Sequence, residues 1–295
     1  MPTHDFTLHA LDGRPLAATL HTPDDAIRAA VVVLGALGVP RRYYRAFAAW
    51  LAERGVATLT FDYRGCGESR SVPLRRDPAV LLDWARLDAA AAIDQARIRF
   101  GAPVWAVGHS FGGQSIGLTP RGLDLAGAVI VAAGSGELSL YPAGLRRGYQ
   151  LRLAALPAVT GLFGYVPGRL GVGEDLPSGV VRQWADWCRT PDYARGALGT
   201  ESTHHHRITA PVRFIEVSDD SFAPAGPAAA LRGWYCRAKT SHRVVTPAEL
   251  GVRRFGHFGP FRAGVAAPIW ADVLATITGE APRFAGEVRA AGLRA

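Results

Sequence analysis

Val104-Trp105-Ala106-Val107, followed by Gly108-His109-Ser110-Phe111-Gly112-Gly113, is the stretch that decides the fold. Its first four residues are apolar and suit a buried strand. The next five fit the pattern G-x-S-x-G, and a helix-compatible stretch follows. A bare match to five residues is weak, because Gly and Ser are common. The order strand, tight turn, helix makes it informative. A serine held in such a strained turn needs small residues two before and two after it, so that strand and helix can pass closely. Gly108 and Gly112 meet that need, and Gly113 adds clearance. The turn also sets Ser110 at a helix N-terminus, where the dipole favours negative charge that develops during attack. Ser110 is the candidate nucleophile.

Strands and helices alternate on both sides of this turn. Residues 6–8 and 16–20 read as a hairpin around Leu11-Asp12-Gly13-Arg14. Residues 29–34, 56–61, 127–133, 212–217 and 242–245 read as further strands. Helices are expected over 43–54, 77–100, 224–237 and 261–277. This rhythm predicts an α/β fold with a mostly parallel, doubly wound sheet. Residues 136–206 break it. They carry Gly and Pro punctuators, Trp184, Trp187 and amphipathic pieces but no clear strand. The expected organisation is a core of residues 1–135 and 207–279, a helical cap insertion over 136–206, and a polar tail over 280–295.

A serine hydroxyl is a poor nucleophile until a base takes its proton. In a strand–turn–helix setting the order along the chain is Ser, then acid, then His. His242 and His257 are the histidines late enough in the chain. His242 opens a predicted strand. His257 sits in Phe255-Gly256-His257-Phe258-Gly259, a glycine-flanked loop suited to bringing an imidazole to a site, and is the candidate base. Asp219 and Asp220 follow the strand over 212–217 and are the candidate acids. Either could steady the imidazole. Two adjacent carboxylates cannot both face one ring, and spacing alone does not choose between them.

Composition narrows the remaining classes. The chain has 295 residues, 48% hydrophobic and 20% charged, with a formal net charge of +8. The arginines are scattered and Lys239 is the only lysine, so no basic stripe points to nucleic acid. Cys66, Cys188 and Cys236 are odd in number and far apart, which argues against a disulfide framework or a zinc site. His204-His205-His206 reads as a solvated linker, and Tyr43 and Tyr44 as packing at a helix start. No apolar run is long enough to span a bilayer, and the first twenty residues do not read as a signal peptide. A cytoplasmic setting, a small-molecule partner and no cofactor are the expectation.

Taken together, these segments resemble the α/β-hydrolase superfamily over nearly the whole chain. The resemblance rests on Gly35-Ala36-Leu37-Gly38, on Asp62-Tyr63-Arg64-Gly65-Cys66-Gly67-Glu68-Ser69 as a D-x-R-G-x-G-x-S loop, on the Ser110 turn, and on the late Asp and His loops. More narrowly, the chain is similar to a group of bacterial hydrolases without a well-defined common substrate. The features shared with that group are Gly-x-x-Gly-Val-Pro with Arg-Tyr-Tyr over 35–44, Gly-Glu-Asp-Leu-Pro over 173–177, and Gly-His-Phe-Gly over 256–259. The family's Asp-x-x-x-Pro offset favours Asp220, four residues before Pro224, with Asp219 as the alternative. The resemblance implies an oxyanion hole of two backbone N–H groups, at Phe111 and at Ala36, with Leu37 as the alternative to Ala36. Leu34 stands where the family often has histidine. It also implies a cap-lined pocket, for which Leu37, Tyr141, Trp184 and Trp187 are the candidates. The implied reaction is cleavage of an ester or thioester. Acyl transfer, or cleavage of an amide or carbon–carbon bond, by the same residues is the alternative. A ligand-binding protein on a hydrolase scaffold is the rival of another class.

Overall fold

The computed structural model describes residues 2–170 and 173–280. Strands β1 (Thr3–His9) and β2 (Pro15–His21) form the opening antiparallel hairpin. Then come β3 (Ala29–Leu34), helix α1 (Arg45–Ala52), β4 (Val56–Phe61), α2 (Leu81–Asp83) and α3 (Ala90–Phe100). Strand β5 (Val104–His109) leads into the short helix α4 (Phe111–Ser115), and β6 (Gly127–Val131) follows. Helix α5 (Ala143–Phe163), β7 (Tyr165–Val166), β8 (Leu176–Pro177), α6 (Ser178–Arg189) and α7 (Tyr193–Leu198) come next. The chain returns through β9 (Val212–Val217), α8 (Ala225–Gly233), β10 (Thr240–Val245) and α9 (Ala267–Thr278).

Eight strands form one sheet in the order β1-β2-β4-β3-β5-β6-β9-β10. The pairs β1–β2 and β2–β4 are antiparallel, and the other five are parallel. Order reverses where β3 and β5 lie side by side, and in open α/β sheets ligands bind beyond the strand ends at such a point. Ser110 is the first residue past β5. The unbroken apolar run of β3 follows from being covered on both faces. Val32 and Leu34 belong to one core with Trp84 and Ile93. Val31 and Val33 belong to the other, with Phe47, Leu51 and Trp270.

Four elements depart from the sequence expectation. The helix expected over 77–100 begins at Leu81, because Asp77 instead accepts the Ala79 N–H at 3.0 Å and pairs with Arg14. Its Trp84–Ala89 portion is π-helical. There the Trp84 ring stacks on Tyr63 and donates to the Arg64 carbonyl, while Asp88 pairs with Arg64 at 2.6 Å. Such single π-turns shift the register of a helix face locally. The last helix starts at Ala267 rather than 261, because Gly259–Phe261 makes a separate 3₁₀ turn. Residues 136–206 hold a two-residue antiparallel ladder between β7 and β8 where no strand was expected. Finally, His205 is no solvated linker residue. It is fully buried against Trp234 and Tyr235, and its ring meets the Gln114 carbonyl. Of the tail expected over 280–295, only Glu280 lies within the described residues. Among the described residues no helix is long and apolar enough to cross a membrane.

Candidate active site

Ser110 carries the backbone cost that its turn demands. Its φ is 54° with ψ −118°, a conformation that side-chain-bearing residues rarely adopt. Such strain costs about 1–3 kcal/mol and persists only where the surroundings enforce it. They do so here through close backbone approach. A methyl group on Gly108 would lie 2.6 Å from Gly113 Cα, and one on Gly112 would overlap the Leu34 carbonyl. The Ser110 N–H is fixed to the Val131 carbonyl at 3.0 Å. Strand and helix are thereby locked around Ser110, which lines a cavity.

His257 reaches the site from the loop before α9, and Asp220 from the loop after β9. His257 Nδ1 lies 2.7 Å from Asp220 Oδ2, and both side chains are almost fully buried. The other Asp220 oxygen accepts from the N–H groups of Phe222 and Ala223, at 2.7 and 3.1 Å. These bonds aim the carboxylate before the imidazole arrives. Asp219 points elsewhere. Its two oxygens each accept one backbone N–H, from Phe255 and Gly256, both at 2.9 Å. One of the paired aspartates meets the imidazole and the other ties down the loop that carries it. His242 is exposed on edge strand β10, away from this cluster.

With Nδ1 engaged by a carboxylate, the imidazole presents Nε2 toward the cavity as a proton acceptor. Ser110 and His257 line the same cavity. No hydrogen bond joins them here. Such contacts commonly tighten only around a substrate.

The backbone donors differ from the expectation. Ala36 N–H donates to Tyr44 Oη at 2.8 Å in the buried core. It is thus engaged within the protein, where the expectation placed it at an oxyanion. Among the described residues, the N–H groups of Leu37 and Phe111 donate to no other protein atom. Leu37 and Phe111 both line the Ser110 cavity.

That cavity is about 80 Å³ and is walled by Leu37, Tyr141, Trp184, Tyr149, Phe222 and Phe258, among others. Trp187, expected at the pocket, instead packs edge-on against Tyr193 in the core, only 2% exposed. Its neighbour three residues earlier on α6, Trp184, takes the cavity-facing side. Phe222 and Phe258 follow Asp220 and His257 so closely in sequence that proximity alone was the available signal. Tyr149 sits on α5 one turn from Leu145 and Leu153, a spacing that also fits plain packing. A second, apolar cavity of about 220 Å³ adjoins the first and shares Tyr149, Trp184 and Phe222 with it. Cys188 is on the wall near Ser110, but burial pushes its thiol pKa far up, so it does not compete as a thiolate.

The loop Asp62–Ser69 braces this end of the sheet rather than joining the cavity. Asp62 accepts from Arg41 and from the Glu68 N–H, and Ser69 Oγ donates to the Asp62 carbonyl. Arg64 is held by Asp88 and Asp12. Glu174, from the Gly-Glu-Asp-Leu-Pro run, joins the segment 136–206 to this brace. It accepts the Gly67 N–H at 2.9 Å and pairs with Arg42, and its own N–H donates to the Gly38 carbonyl at 2.8 Å.

Comparison with known proteins agrees with this architecture. Residues 30–251 match the model of the alpha/beta hydrolase family. No curated protein matches the chain by sequence. Among solved structures it is similar to a thermostable carboxyl esterase from Bacillus coagulans, with TM-score 0.66 and 14% identity over 95% of this chain and 99% of that one. It is likewise similar to a soluble variant of monoglyceride lipase from Saccharomyces cerevisiae, with TM-score 0.65 and 12% identity over 95% of each chain. A lipase in its open form gives TM-score 0.64 and 16% identity over 94% of this chain and 98% of that one. At such identities these likenesses speak for the fold. The family match spans most of the sequence, and the chain belongs to the alpha/beta hydrolase family.

Proposed function

We propose that this protein is a serine hydrolase that cleaves a carboxylic ester or thioester carrying an apolar acyl group. The observation that carries the reading is the 2.7 Å contact between His257 and Asp220 beside a strained Ser110 on one cavity. In this mechanism His257 Nε2 takes the Ser110 proton as Oγ attacks the acyl carbonyl. Asp220 stabilises the imidazolium. The oxyanion is met by the N–H groups of Phe111 and Leu37, each worth roughly 10²–10³ in rate. His257 then returns the proton to the departing alkoxide or thiolate. Water, activated by the same imidazole, releases the acid and regenerates Ser110.

The segment 136–206 acts in this reading as a cap. Its helices α5 and α6 supply Tyr149 and Trp184 to both cavities. The apolar cavity of about 220 Å³ beside the reacting centre favours an acyl chain of moderate length over a polar one. A panel of chromogenic esters of increasing chain length tests the proposal. A burst of released alcohol, one per chain, with rate rising through medium-chain substrates is expected. Turnover that persists undiminished in Ser110→Ala contradicts it.

A further inference from the structure

Three buried hydrogen bonds link four segments behind Ser110, and none of them has a place in the mechanism above. Ala36 N–H donates to Tyr44 Oη at 2.8 Å. Tyr44 Oη and His109 Nδ1 are 2.9 Å apart. His109 Nε2 and the His257 carbonyl oxygen are 3.0 Å apart. Tyr44 is 1% exposed and His109 is fully buried.

The direction of every bond follows from the partners. A carbonyl oxygen only accepts, so His109 Nε2 carries the hydrogen. Burial first, and then the nearby His257 ring, hold the His109 pKa well below its ordinary value, so the imidazole is neutral. Its Nδ1 is therefore an acceptor, and Tyr44 donates to it. Tyr44 Oη in turn accepts from Ala36. The chain of donors runs one way, from the loop after β3 through α1's approach and the nucleophile turn to the loop of His257.

These polar groups sit among aromatic rings. Phe261 lies 5.0 Å from the Tyr44 ring and 4.9 Å from the His109 ring, centre to centre. Burying a hydroxyl and an imidazole in such surroundings is unfavourable unless both are bonded. Phenylalanine and leucine would fill the same space without that penalty. The arrangement does two things that packing alone does not. It draws Ala36 N–H inward, while the next N–H, that of Leu37, meets no protein acceptor. It also holds the main chain of His257 to the residue directly before Ser110. Tyr43 supports the same loop from its outer side, with its hydroxyl donating to the Phe258 carbonyl.

We propose that Tyr44 and His109 are positioning residues that lock the oxyanion loop and the base-bearing loop in register with Ser110. The proposal rests on the serine-hydrolase reading for its kinetic consequences, and on hydrogen-bond geometry for its structural ones. Tyr44→Phe removes one oxygen and leaves Ala36 N–H and His109 Nδ1 without partners. His109→Asn keeps an acceptor near the Nδ1 position but does not reach the His257 carbonyl. His109→Gln does the reverse.

The test measures kcat per active site, counted by burst titration, together with KM and Tm. Counting active sites removes any effect of a smaller folded fraction. For Tyr44→Phe, kcat is expected to fall about 10–100-fold with KM within about twofold, as small misplacements of reacting groups do. His109→Asn and His109→Gln should each lose kcat, and Tyr44→Phe with His109→Gln should lose less than the product of the two single losses, since both cut the bond between Tyr44 and His109. Unchanged kcat per active site in Tyr44→Phe, even with a lowered Tm, overturns the proposal, because that is the signature of packing alone. Should Tyr44→Phe not fold, kcat per active site in the two His109 variants decides between positioning and packing in the same way. Nitrogen NMR of the wild-type protein supplies a readout independent of activity. His109 is expected neutral with its proton on Nε2, and a proton on Nδ1 overturns the relay. A wild-type Ser110 that never reacts would sink the hydrolase reading, while the NMR result would still uphold or overturn the relay.

Discussion

The floor and the roof of the Ser110 cavity are built by different physics. The floor consists of strand ends and tight turns from the sheet: Ser110, Asp220 and His257, with Asp219 and His109 behind them. Directed hydrogen bonds at 2.7–3.1 Å fix almost every group there. The roof comes from α5 and α6 and is mostly aromatic and aliphatic. Its polar ties to the rest of the fold lie away from the reacting groups, such as Tyr149 Oη to the Ser221 carbonyl and the Leu82 N–H to the Gln183 side chain. Bond geometry restricts a floor to few arrangements, whereas apolar contacts admit many. Under the proposed reaction, the difference separates what sets the chemistry from what selects the substrate.

The largest effects are expected where the floor is cut. Ser110→Ala should lower kcat at least about 10⁴-fold with the fold intact by circular dichroism. The adjacent aspartates should then part company. Asp220→Asn is expected to cost about 10⁴ in kcat, because it removes the imidazole's orienting partner. Asp219→Ala leaves two backbone N–H groups unpaired and should cost about 1–3 kcal/mol of stability in chemical denaturation, with a far smaller kinetic effect. Equal kinetic losses in the two would erase the distinction between them. Next in size is Gly112→Ala, whose methyl group overlaps the Leu34 carbonyl. It is expected to lose about 3 kcal/mol of stability, read from denaturant midpoints.

Two buried imidazoles flank the nucleophile turn and make the floor sensitive to acid. His109 is held well below its ordinary pKa and His205, behind α4, is held down to about 3, in both cases chiefly by burial. The unfolded chain binds these protons near pH 6.5 and the folded chain does not. Stability is therefore complete above about pH 6.5 and falls as pH drops below it, by about 2 kcal/mol at about pH 5 for His205, with His109 adding to the loss in the same direction. Melting curves across that range should show the loss, and His109→Gln should show a shallower one. The smallest effect belongs to the roof. Trp184→Ala should leave a short-chain ester almost untouched. It should lower kcat/KM by about fourfold for each CH₂ that no longer finds apolar cover. A uniform loss across chain lengths would place Trp184 in the floor's business instead.

The same contrast explains what the sequence discloses. The strands over 29–34, 56–61 and 212–217 have the bounds expected, and the first is the plainest because a strand covered on both faces is free to be apolar throughout. Ser110 is legible because only glycine fits at 108 and 112. The choice of Asp220 over Asp219 as the partner of His257 comes from the family's offset to Pro224 and not from the two residues' own chemistry. In the folded chain it depends on which way each side chain leaves the loop, and that follows from Phe222, Ala223, Phe255 and Gly256 N–H groups brought together by folding. The engagement of Ala36 is hidden for a similar reason. Nothing local announces that Tyr44, eight residues on, turns its hydroxyl back onto that N–H. Trp184 and Trp187 lie three residues apart on an amphipathic helix, so composition leaves open which of them meets the cavity. The π-turn at Trp84–Ala89 is likewise invisible, being set by the demands of Tyr63 and Arg64 across the fold.

Everything proposed for the floor depends on Ser110 being a nucleophile activated by His257 under the control of Asp220. The decisive measurement is reaction of the folded protein with a fluorophosphonate, with the modified residue located by mass spectrometry. One adduct per chain is expected, on Ser110, forming at least about 10²-fold more slowly in His257→Gln and in Asp220→Asn. An unlabelled Ser110 in folded wild-type protein, or labelling at the same rate in those variants, would contradict it.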